Sequence, residues 1–103
     1  MAFEVVATAE FDALLDEAVA FRVDNYGLRS ARRLLDAVDK LSVFLADNPH
    51  MGRLVDDAAD GAEPLRWMRA DSYIAVYRVH EDRNQVALLK LFFATSNWRR
   101  RVL

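Results

Sequence analysis

The chain has 103 residues, a formal net charge of −2 and no cysteine. That length suits one domain over residues 1–103 with a single core, and the absence of thiols excludes disulfides and thiol chemistry. Hydrophobic residues make up 53% beside only three glycines and two prolines, which argues against disorder, and no stretch nears the roughly 20 apolar residues of a membrane span.

In chain order, Ala2 to Ala7 is short, apolar and β-branched, which predicts a first strand. Thr8 is a helix N-cap candidate, with Glu10 and Asp12 in the first turn, where the helix dipole favours acids. Phe11, Leu14, Leu15, Ala18 and Phe21 then follow helical spacing, Arg22 continues the outer surface, and Gly27 stops the helix. Ser30 can cap a second helix striped by Leu34, Val38, Leu41 and Leu45, which ends at Asn48-Pro49. The short link predicts a helical hairpin. Residues from His50 to Glu63 read as an irregular acidic loop holding Asp56, Asp57, Asp60 and Gly61. Three strands follow: Leu65 to about Ala70, Tyr73 to His80 after an Asp71-Ser72 turn, and Gln85 to Phe93 after the loop Glu81-Asp82-Arg83-Asn84. The reading is an α+β fold of order β-α-α-β-β-β, a helical hairpin packed on one face of a small antiparallel sheet.

If His80 lies opposite Gln85, alternation puts Ile74–Leu91, Val76–Leu89 and Arg78–Ala87 on one face. Tyr73–Phe92, Ala75–Lys90, Tyr77–Leu88 and Val79–Val86 fall on the other. The aliphatic face is expected against the helices and the tyrosine face is expected open.

Charge is divided along the chain. Residues 1–63 carry six basic and thirteen acidic side chains, or −7, while residues 64–103 carry eight basic and three acidic, or +5. A local positive field attracts an anionic partner even when the total is negative. Mutual neutralisation of the two halves is the plainer explanation of the same numbers.

Two histidines, His50 and His80, and no cysteine leave no zinc-like spacing, so neither a metal nor a cofactor is expected. There is no nucleophile-elbow serine and no phosphate-cradling glycine loop. What remains is basic and aromatic. Arg66, Arg69, Tyr73, Tyr77, Trp98, Arg99, Arg100 and Arg101 are the candidate binding residues, because guanidiniums grip anions and aromatics stack on bases. A metal-free ribonuclease would draw on Arg69, Arg78, Lys90, Tyr73 and Tyr77, but arginine is a poor base, and lysine or tyrosine must be strongly perturbed to act as one.

The helical hairpin, Asn48-Pro49 followed by Gly52, Leu65-Arg66, Tyr73-Ile74-Ala75-Val76-Tyr77-Arg78-Val79 before an acidic turn, and a last aliphatic strand leading to Asn97-Trp98 together resemble the RelE/ParE superfamily of bacterial toxins from type II toxin–antitoxin modules. The resemblance implies a growth-arresting cytoplasmic toxin, wrapped by a cognate antitoxin in a hetero-oligomer. It implies one of two activities: cleavage of mRNA in the ribosomal A site by RelE-like members, or inhibition of DNA gyrase by ParE-like members. RelE-like members usually place an arginine where Ile74 stands, and basic residues where Phe93-Ala94-Thr95-Ser96 stands. The pattern is therefore nearer to ParE-like members or to an unassigned target. A ribosome-dependent endoribonuclease and a degenerate non-toxic binding module are the alternatives, and whether the chain is an enzyme stays open.

Overall fold

A computed structural model of the chain describes residues 2–55 and 63–102. Asp56, Asp57, Asp60 and Gly61 of the expected acidic loop, and Leu103, lie outside the described residues. The elements are β1 (Glu4–Ala7), α1 (Ala9–Tyr26), α2 (Leu28–Asp47), β2 (Arg53–Leu54), β3 (Leu65–Ala70), β4 (Tyr73–His80), a 3-10 turn (Glu81–Arg83), β5 (Gln85–Phe93) and α3 (Trp98–Val102).

Thr8 starts α1 as its spacing predicts. Its Oγ1 accepts the Phe11 N–H at 3.2 Å and donates to the Leu88 carbonyl at 3.0 Å, so one hydroxyl caps the helix and ties it to β5. Gly27 ends α1 with φ +92°, and its N–H reaches the Arg22 and Val23 carbonyls. A side chain there would be strained, so glycine sets the corner between the helices. The second helix begins at Leu28 directly after this corner, so Ser30 lies inside it rather than capping it. Leu34, Val38, Leu41 and Leu45 are buried, as the stripe predicts.

The strands form one sheet in the order β1-β5-β4-β3-β2. The α+β architecture is the expected one, with a correction to the sheet. β1 pairs with β5 in parallel while the other neighbours are antiparallel, so the sheet is mixed. Nothing in the four residues of β1 specifies their partner, which is why sequence could not orient it. A second correction is β2: Arg53 and Leu54 leave the segment read as irregular and pair with Trp67 and Arg66.

The β4–β5 hairpin starts in the expected register, with His80 opposite Gln85, Val79 opposite Val86, Arg78 opposite Ala87 and Tyr77 opposite Leu88. A bulge between Val76 and Tyr77 then skips Leu89, so Val76 meets Lys90, Ala75 meets Leu91, Ile74 meets Phe92 and Tyr73 meets Phe93. The extra residue displaces every later pair by one.

The two faces are also exchanged relative to expectation. Tyr73, Ala75, Tyr77 and Val79 face the helices, in a core with Phe11, Ala18, Leu34 and Leu45. Ile74 and Val76 face the other way and are buried with Phe92 and Trp98. Both faces of β4 are thus covered, and an apolar run with alternating tyrosines does not reveal which face meets the helices.

The reason lies in the phenol of Tyr77, which has no exposed surface. Its hydroxyl donates to the Pro49 carbonyl at 2.9 Å and accepts the Gly52 N–H at 2.8 Å. Only the helix side offers these backbone partners, because α2 exits there. Gly52 is required by the same contact, since a Cβ would run into the Tyr77 ring. Burial pushes the Tyr77 phenol above its ordinary pKa of 10.0. Folding therefore favours the protonated phenol. The contribution is complete below that ordinary value and is lost as pH rises through the folded one.

Replacing Tyr77 by Phe strands the Gly52 N–H and the Pro49 carbonyl, and should cost about 1–3 kcal/mol in urea unfolding. The variant should also lose part of the alkaline destabilisation of the parent. An unchanged midpoint would show that the tether carries no stability.

Candidate functional site

The outer sheet face, opposite the α1–α2 hairpin, is closed by α3. Trp98 is 4% exposed and packs against Ile74, Val76 and Phe92. Its ring meets Trp67 edge to face, with centroids 5.3 Å apart. The tail thus docks on the domain, and Trp98 is a core residue.

Beside this plug lies a groove of about 460 Å³, lined by Met51, Arg53, Trp67, Met68, Arg69, Ile74, Ala94, Trp98 and Arg99. Among the described residues its ionisable lining is three arginines, and none of them is ion-paired there. The Arg99 guanidinium sits 4.6 Å from the Trp98 ring centre and 5.3 Å from that of Trp67; Arg53 sits 5.7 Å from the Trp67 centre. Stacking of this kind contributes roughly 0.5–1 kcal/mol at exposed positions and leaves the N–H edges of the fork available. Arg69 donates from Nε to the Asp71 carbonyl at 2.8 Å, which anchors it at the rim.

The other candidates are dispersed. Arg66 donates to the His50 and Gly52 carbonyls at 3.1 and 2.9 Å, bracing the entry to β2. Arg78 donates to the Glu63 carbonyl at 3.0 Å. Lys90 lies 3.3 Å from Glu10 in the first turn of α1. Tyr73 and Tyr77 are buried on the helix side, so the expected open tyrosine face does not exist. Arg101 stacks on Phe92 with 5.0 Å to its centre, and Arg100 is exposed. Arg69 and Arg99 are therefore brought together, with Trp98 as the plug behind them, and the five nuclease candidates are not gathered at one place.

Sequence reasoning missed Arg53 and gave Trp67 no role. Arg53 was absorbed into a loop, and the β2–β3 ladder that sets it opposite Trp67 spans only two residues. The two histidines make carboxylate pairs instead of sites: His50 with Glu81, and His80 Nδ1 with Glu63 at 2.7 Å. No group of three or more His, Cys, Asp or Glu side chains among the described residues could hold a metal ion.

Arg22 departs furthest from expectation. It is buried at 6% exposure rather than continuing the outer surface of α1. Its guanidinium pairs with Asp71 and donates to the Ser72 hydroxyl at 2.7 Å and the Ser30 carbonyl at 3.0 Å. The Asp71-Ser72 turn holds its shape through this contact, with Asp71 at φ +58°. The Arg22 hydrogen bond holds the Asp71 carboxyl below its ordinary value of 3.8. The same turn presents the Asp71 carbonyl to Arg69, so the buried pair also fixes one wall of the groove.

The similarities of the chain accord with this architecture. Residues 5–95 match the family described as ParE toxin of type II toxin–antitoxin system, parDE. Among solved structures, the chromosomal ParDE system of P. aeruginosa is 18% identical with a TM-score of 0.68, covering 89% of this chain and 96% of that one. The RelBE2 toxin–antitoxin complex of Mycobacterium tuberculosis is 18% identical with a TM-score of 0.67, covering 90% and 99%. The archaeal RelE–RelB complex of Pyrococcus horikoshii OT3 is 19% identical with a TM-score of 0.57, covering 92% and 98%. No curated protein matches the chain significantly. The fold is that of the RelE/ParE superfamily. Within it, the chain belongs to the ParE toxin family of type II toxin–antitoxin systems.

Two outcomes test the site. Trp98→Ala should cost about 3–5 kcal/mol in denaturant unfolding, because it empties the plug on the outer face. Asp71→Asn should be most destabilising at neutral pH. Its deficit should shrink as pH falls below 3.8 and through the lowered folded value, where the parent loses the same interaction. A deficit constant from pH 7 to pH 2 would contradict this.

Proposed function

We propose that this chain is a growth-arresting toxin, neutralised by a cognate antitoxin, that acts by binding a target rather than by cleaving RNA. The observation that carries this reading is the composition of the outer groove. Among the described residues three guanidiniums line it, and no carboxylate, histidine, lysine or tyrosine does. Cleavage by a ribose hydroxyl needs a group that removes a proton, and arginine stays protonated throughout the physiological range. The titratable candidates lie elsewhere: Tyr77 is held by Pro49 and Gly52, Tyr73 is buried in the helix-side core, Lys90 faces Glu10, and the histidines pair with Glu63 and Glu81.

Membership of the ParE toxin family supports the same side of the choice. DNA gyrase is the target that this reading puts forward. A cognate antitoxin, in a hetero-oligomer with the toxin, is supported by the related folds that were solved as toxin–antitoxin complexes. No helix among the described residues is long and apolar enough to cross a membrane, which suits action inside the cell.

Induction of the chain alone in a bacterium should arrest growth, and co-expression of the product of the adjoining reading frame should restore it. Purified chain should inhibit gyrase supercoiling and leave ribosome-bound mRNA intact. Cleavage of that mRNA, abolished by Arg69→Ala, would favour the endoribonuclease alternative. Absence of any growth defect would favour a degenerate binding module.

A further inference from the structure

We propose that the outward face of α2 is an interface between two copies of this chain. The copies pair antiparallel about a two-fold axis beside Leu35, with Leu28 of each seated at Val43 and Phe44 of the other, and Arg32 of each on Asp39 of the other. This pairing is independent of what the chain acts on.

Leu28, Arg32, Leu35, Asp39 and Val43 recur at steps of three or four residues, which aligns them along α2 on a side turned away from the buried Leu34, Val38, Leu41 and Leu45. All of them are exposed, Leu28 at 66% and Val43 at 70%. Leu28 follows directly on the Gly27 corner and forms an apolar knob at the start of the helix. Near the other end, Asp39, Val43, Phe44 and Asp47 line a hollow of about 470 Å³. Leu28 and Val43 stand about 22 Å apart along the axis. One antiparallel copy engages knob and hollow at once, so the contact is isologous and closed.

Charge selects a second copy as the occupant. The first part of α2 holds Arg29, Arg32 and Arg33, and its later part holds Asp36, Asp39 and Asp47 around Lys40. None of these side chains is in an ion pair among the described residues. The helix has no acid in its first turn and no base in its last, so Arg29 and Asp47 stand at the ends where the helix dipole opposes them. A second α2 running the other way sets an acidic end beside each basic end and offsets both costs. A parallel copy would set arginine on arginine and aspartate on aspartate. A nucleic acid or an anionic membrane would meet the aspartates with like charge.

The test is sedimentation equilibrium of the purified chain. A single helix pair is smaller than a standard interface, so half-dissociation should fall between about 1 and 100 µM. Over a series from about 1 µM to about 1 mM, the mass should rise from the 11.8 kDa of one chain to twice that value and stop there. Arg32→Asp and Asp39→Arg each set like charges together and should weaken pairing at least tenfold, whereas an equimolar mixture of the two variants should pair as the parent does. That recovery separates lost pairing from misfolding, because neither variant could refold the other. Leu28→Ser should also weaken pairing at least tenfold, while Arg83→Asp, exposed in the turn between β4 and β5, should leave it unchanged. The chain has no cysteine, so oxidised Leu35→Cys should give one cross-linked dimer across the axis. A monomer at every concentration, a mass that keeps growing, single variants that pair like the parent, or a mixture that fails to recover would overturn the proposal.

Discussion

The hydroxyl of Tyr77 joins the central strand to the bend at Pro49 and Gly52 across the core, and fixes the backbone where α2 gives way to β2. Because Gly52 is held there, the next residue, Arg53, enters the sheet opposite Trp67. Arg66 braces the same bend through the His50 and Gly52 carbonyls. A contact buried on the helix side thereby decides which cation stands on the opposite side. The pairing of Arg22 with Asp71 acts alike at the other end of β3, shaping the turn whose carbonyl receives Arg69. Core and groove are one construction, and the groove inherits its geometry from hydrogen bonds that no partner touches.

The chain uses its arginines in two ways. Arg22, Arg66 and Arg78 give their donors to the chain's own carbonyls and carboxylates, where each replaces a lost water contact. Arg53 and Arg99 rest on aromatic rings, which orient a guanidinium without consuming its hydrogen-bonding edge. Stacked guanidiniums stay available, and that separates a surface that recognises an anion from one that is merely basic. The charge imbalance between the two halves of the sequence is partly internal neutralisation, as with Lys90 and Glu10, and partly this exposed remainder.

Much of the fold was legible because its signals are local. Thr8, Gly27 and Asn48-Pro49 mark helix ends by capping, by left-handed backbone and by loss of a donor, and the last two strands begin and end where the turn residues put them. What escaped reading depends on partners remote in sequence. The bulge at Leu89, the parallel entry of β1, the burial of Arg22 and the short ladder of Arg53 each answer to a residue that no local pattern names. The tyrosines misled for a related reason: alternation assigns them a common face, and only the partner of the Tyr77 hydroxyl says which face it is. Of the site, Arg69 and Arg99 were read as binding residues from charge alone, whereas the grouping with Arg53 and Trp67 required the sheet.

The parallel pairing of β1 with β5 governs when the molecule can form. Thr8 bonds to Leu88 across 80 residues, so the first strand has no ladder to join until nearly the whole chain has been synthesised. Closing so long a loop is slow, and until then the helical hairpin has no finished sheet to lie on. A nascent chain therefore emerges with its apolar helix faces uncovered. The order in which the strands emerge thus limits folding: no partial chain that lacks β5 can complete the sheet.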